Sequence, residues 1–132
     1  MPSSSENAVV RQILFTDTGK LSVFLEGEGL MQTITVCGSM RFEEEMKNVA
    51  FLLESKKGFN VIQCTYNEQK VEITAEMMEN LKKAHFEKIK MSDGIYVVDI
   101  DHYIGSSVQQ EIEYAKKMNK QIIFHSDYSS AL

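Results

Sequence analysis

The sequence predicts an α/β fold: a parallel sheet with helices on both faces, preceded by an N-terminal β-hairpin extension. Three observations lead there. Short apolar runs alternate with longer segments of helical periodicity in the order βαβαβαβ. The short runs are apolar throughout, which suits strands covered on both sides. And 132 residues, 43% hydrophobic and 25% charged, are enough for one cored domain but not for two comfortable ones.

Taken in order, residues 1–8 are small and polar and read as a mobile end. QILFTDTGKLSVFLEGEG carries two β-rich runs around Asp17-Thr18-Gly19-Lys20, the pattern of a hairpin. EGEGL (26–30) is a turn or linker, dividing an extension over 1–30 from an α/β domain over 31–132. TITVC (33–37) is the first strand of that domain. Phe42, Met46, Val49, Ala50 and Leu53 then recur at helical spacing, until Lys57-Gly58 stops the helix. FNVIQC (59–64) is the second strand, and Thr74 caps a helix running to about Met91. GIYVVDI (94–100), a helix opening in GSSVQQEIEYA, and QIIFH (121–125) complete the order. Such a succession is Rossmann-like or flavodoxin-like.

A net charge of −5 argues against a nucleic-acid polymer or an anionic membrane as partner, though a small anionic ligand fits a locally positive site. No apolar run approaches the roughly 20 residues of a membrane span. The start lacks the order of a signal peptide, and Cys37 and Cys64 fit neither a disulfide framework nor a metal spacing. The expectation is a cytoplasmic protein with two buried thiols. Asp99-Ile100-Asp101-His102 resembles a metal cluster only in composition, since neighbouring side chains on a strand end diverge; no metal and no cofactor is expected. No serine stands in a nucleophile elbow, and nothing near Cys37 in sequence activates it.

Ligands of open parallel sheets bind beyond the carboxyl ends of the strands. That places CGSMR (37–41), CTYNE (64–68) and DIDHYIGSS (99–107) around a site. Gly38-Ser39 lets a ligand approach the backbone, with helical N–H groups and Arg41 facing an anion. Glu43, Glu44 and Glu45 in the same turn offer the plainer reading of a well-capped helix. On the later helix, Val108, Ile112 and Ala115 share the core face, and Glu113 falls opposite, toward water. Glu111 falls on the flank of the apolar face, where a carboxylate is partly desolvated and needs compensation from helix amides, the helix dipole or a local partner. It is either a structural pair or a carboxylate aimed into the site. His85 shares a stripe with Met78, Leu81 and Ile89, so it points inward, as a core histidine or as an acid, base or donor near Asp93.

Together VCGSMR and GSSVQQEIEYAKKMNKQII resemble the nucleoside 2-deoxyribosyltransferase superfamily, which includes the 2-deoxynucleoside 5-monophosphate N-glycosidases. The matching segments are Gly38-Ser39, Ser92-Asp93-Gly94, Glu111-Ile112-Glu113-Tyr114-Ala115 and Asn119-Lys120-Gln121, over about residues 31–125. The likeness is greatest to short bacterial and phage members with a histidine at position 85, where better-known members carry an aspartate. The resemblance implies cleavage or transfer of the N-glycosidic bond of a nucleoside or nucleoside 5′-monophosphate. Glu111 would attack the anomeric carbon, and His85 or Asp93 would serve the leaving base. Gly38, Ser39, Met40 and Arg41 would hold sugar and phosphate, helped by Ser106 and Ser107. It also implies a homo-oligomer, a dimer or larger, with HSDYSSAL as a candidate contribution to a neighbouring site. Two alternatives stand beside this reading: a nucleotide-binding or sensor module without chemistry, favoured by His85, and an interaction protein that binds through its hairpin.

Overall fold

The computed structural model describes residues 10–15, 21–26 and 31–132. Strands β1 (Val10–Phe15) and β2 (Leu21–Glu26) pair antiparallel, from Val10 opposite Glu26 to Phe15 opposite Leu21. The expected polar end, the Asp17–Lys20 turn and most of the linker lie outside the described residues. There follow β3 (Thr33–Gly38), α1 (Glu43–Ser55), β4 (Asn60–Ile62), α2 (Ala75–Met91), β5 (Gly94–Val98), α3 (Ser106–Lys117), β6 (Gln121–Phe124) and the one-turn α4 (His125–Tyr128).

The last four strands form one parallel sheet in the order β4-β3-β5-β6. Alternation along β3 and β5 divides the core in two. Ile34, Val36, Tyr96 and Val98 pack against Met46, Val49, Ala50 and Leu53 of α1. Cys37, Ile95 and Val97 face the other way, onto Ile89 of α2 and Val108, Ile112 and Ala115 of α3. Both faces of the sheet are therefore covered, which is why its strands read as unbroken apolar runs.

Local chemistry sets the boundaries. Gly58 takes a left-handed backbone (φ 74°) just after α1. Thr74 caps α2 as its sequence position suggests, its hydroxyl accepting from the Met77 N–H at 3.1 Å. The strand expected over 59–64 is shorter, because β4 is an edge strand paired with β3 only from Thr33 to Thr35. Beyond it the chain turns away across the top of the sheet.

The α2 stripe also needs correction. Ile89 is buried, but Met78 is 58% and Leu81 37% exposed. Seventeen helical residues span about 25 Å, whereas a five-residue strand such as β5 spans only about 17 Å. The first turns of α2 therefore overhang the carboxyl end of the sheet. The C-terminal HSDYSSAL lies on its own chain: Tyr96 Oη is 2.7 Å from His125 Nδ1, and Lys56 Nζ donates to the Leu132 carbonyl at 3.0 Å. These contacts hold the segment against β5 and α1 of its own chain.

Candidate active site

The connection from β3 leads to β4 on one side while β5 lies on the other, so a crevice opens beyond the carboxyl ends of β3 and β5. It is a cleft of about 740 Å³. Gly38, Ser39 and Met40 form one edge, Gly105, Ser106 and Ser107 at the start of α3 another, and the overhanging turns of α2 bring Met78, Leu81 and Phe86. An edge-to-face contact between Phe86 and Tyr114, centroids 5.0 Å apart, locks α2 onto α3. Where the two helices meet, His85 and Glu111 face each other; Cys64, Glu79, Lys82 and Lys88 also line the cleft.

Glu111 stands on the flank of α3, and Glu113 on the outward face with Gln109 donating to it. The Glu111 side chain is 16% exposed, and its Oε1 lies 3.4 Å from His85 Nε2. His85 Nε2 is also 3.4 Å from Cys37 Sγ. Compensation for the desolvated carboxylate thus comes from His85 on a neighbouring helix; Glu111 is in the second turn of α3, beyond reach of the free first-turn amides. His85 Nδ1 is buried and without a partner among the described residues.

Cys37 lies behind this pair and is 1% exposed. Burial first, and then the charge of Glu111 and a hydrogen bond to it, push the thiol well above its ordinary value. The S–H group stays protonated, lies 4.0 Å from the Thr35 carbonyl oxygen that accepts from it, and is not a nucleophile. Nothing in the local sequence announced this placement. The signal available was alternation: Cys37, one residue after Val36, had to face α2 and α3 rather than α1.

The remaining expectations fare differently. Gly38, Ser39, Met40, Ser106 and Ser107 all line the cleft. Arg41 does not. Its guanidinium lies 4.1 Å from the centre of the Tyr103 ring, stacked on a cleft wall instead of reaching inside. Asp93 is at the wrong end of β5: its carboxylate accepts from the Thr33 N–H at 2.8 Å, at the amino end of the strands. It belongs to sheet pairing and is too distant to serve a ligand in the cleft. Asp99, Asp101 and His102 diverge. The Asp99 carboxylate accepts from the Ser126 N–H and hydroxyl at 2.8 and 2.7 Å, while Asp101 and His102 are exposed with left-handed backbones.

The two helix starts at the cleft differ in electrostatics. Ser39 accepts from the Arg41 N–H, and Glu43, Glu44 and Glu45 fill the first turn of α1. Gly105 has no side chain with which to cap α3, and no acidic residue stands in its first turn. An anion in the cleft is therefore better received by α3 than by α1.

The structure is similar to that of Clostridium botulinum CMP N-glycosidase, BcmB, with a TM-score of 0.46 and 19% sequence identity over 70% of each chain. No family model matches the chain, and no curated protein matches it. A likeness of this extent leaves the chemistry to be read from the site itself.

Proposed function

We propose that the protein cleaves or transfers the N-glycosidic bond of a nucleoside or nucleoside 5′-monophosphate through Glu111. The observation that carries this reading is a partly buried carboxylate in the cleft at the switch point of the sheet, held beside His85 of α2, which in turn meets Cys37 of β3. A Glu111 oxygen attacks C1′ as the C1′–N bond breaks, passing through an oxocarbenium-like transition state to a glycosyl ester. The bonding electrons leave with the base, which takes up a proton. Of the two donors expected from the sequence, His85 stands in the cleft and Asp93 does not. Water then completes hydrolysis, or a second base completes transfer. The uncapped first turn of α3, with Ser106 and Ser107, receives the 5′-phosphate and orients the sugar.

A second reading is a nucleotide-binding or sensor module. It is favoured by His85, whose contact stabilises the carboxylate at rest and reduces its reactivity. Base release from a panel of nucleosides and 5′-monophosphates, ribo and deoxy, separates the two. Under the glycosidic reading wild type releases base, and Glu111→Gln loses roughly 10⁴-fold in turnover with ligand affinity kept. Silence across the panel, with a thermal shift from one nucleotide, establishes the binding module instead.

A further inference from the structure

We infer that Cys37, His85 and Glu111 together form a binding site for a thiophilic divalent cation of the zinc class, with its fourth position open to the cleft. The three ligand atoms lie within 4.8 Å of one another. A tetrahedral cation at the usual bond lengths needs ligand-to-ligand edges of about 3.3–3.7 Å. Two of the edges here, Nε2 to Sγ and Nε2 to Oε1, are each 3.4 Å. The third edge, from Sγ to a Glu111 oxygen, is within 4.8 Å, so a cation seated on His85 Nε2 draws the thiol and the carboxylate toward each other. Thiolate, imidazole and carboxylate together suit zinc better than they suit magnesium or calcium.

The ligands come from the end of β3, from α2 and from α3, elements held together by their shared core. His85 and Glu111 line the cleft with Cys37 behind them, so the open position faces the space where a water or a substrate atom would stand. Binding breaks the S–H bond and forms a sulfur–metal bond, and the proton goes to solvent. With Nε2 on the cation, the neutral ring carries its proton on Nδ1, which has no acceptor waiting. A missing outer partner of this kind weakens a site by about 10–100-fold against a fully supported one. Occupancy is therefore reversible. Because the cation takes a Glu111 lone pair, it also switches off glycosyl chemistry; this consequence rests on the reading proposed above, while the binding does not.

The test is a cobalt(II) titration of the chelator-treated full-length chain, followed through thiolate-to-cobalt charge-transfer absorption. The expected result is a one-to-one band that zinc displaces, that disappears in Cys37→Ser and that persists in Cys64→Ser. His85→Gln and Glu111→Gln should keep the band but lower the affinity about tenfold or more. These two variants decide the matter where Cys37→Ser does not fold. No band in wild type, a band lost with Cys64→Ser, or affinity unmoved in both cleft variants would overturn the site. In parallel, zinc should suppress base release and a chelator restore it. If wild type releases no base, the glycosidic reading fails on its own while the cobalt titration still reports the cation site.

Discussion

The protonation of Cys37 is what a residue-level experiment can reach. Burial and the neighbouring carboxylate hold the Cys37 thiol above its ordinary value of 9.0. Cys64 is raised as well, mainly by burial, but it is only half-buried and lines the cleft. Alkylation of the native protein at mildly alkaline pH should modify Cys64 and spare Cys37, as read by peptide mass spectrometry. Preferential labelling of Cys37 would mean that its thiolate forms easily, against a buried thiol that stays protonated. The same reasoning explains why Glu111→Gln should leave the fold intact. The amide is isosteric, keeps an oxygen to accept from His85, and removes a charge that the site must otherwise compensate.

At the scale of elements, two glycines set how closely neighbouring parts approach. A Cβ on Gly94 would lie 2.6 Å from the Gln121 carbonyl oxygen, so Gly94→Ala forces β5 and β6 apart. A Cβ on Gly38 would meet the Met46 sulfur at 2.7 Å, a side-chain contact that methionine can partly relieve by changing rotamer. Gly38→Ala should cost about 1–3 kcal/mol, as overpacking usually does, and Gly94→Ala more. Urea unfolding of the two variants gives the order, and equal midpoints would contradict the backbone argument. Thr74→Ala removes the cap of α2 and should cost about 1 kcal/mol. The cap is three turns from His85, so the cleft chemistry should persist.

For the molecule as a whole, the buried ionisable groups predict how stability depends on pH. Burial raises Cys37, Tyr66 and Tyr96 above their ordinary values. Groups of this kind stabilise the fold while protonated. Their contribution is complete below the unfolded values and is lost as pH rises above about 9, where the unfolded chain releases protons that the folded chain retains. His125 has the opposite sign. Its packing against Tyr96 lowers it from 6.5 mainly by burial, with the Asp99 charge opposing, so stability falls as pH drops below that value. The urea midpoint should therefore peak between these limits. His125→Gln should flatten the acid arm and leave the alkaline arm in place.

Much of this was legible in the chain. The order of elements, the parallel sheet, the Thr74 cap and the outward and flanking places of Glu113 and Glu111 all follow from periodicities of 2 and 3.6 and from local hydrogen-bond chemistry, which act over a few residues. The resemblance motifs likewise marked Gly38–Met40 and Ser106-Ser107, all of which line the cleft. Asp93 and Arg41 were misplaced for a reason local patterns cannot supply. Asp93 lies before its strand, so the direction of β5 carries it away from the cleft, and Arg41 turned to the Tyr103 ring that the fold brought within reach. The sequence by itself determined an α/β domain with a suspect carboxylate on α3. Only the tertiary structure decided what that carboxylate meets. His85 and Cys37 are 26 and 74 residues away along the chain, and their approach depends on how α2 and α3 pack on one face of the sheet.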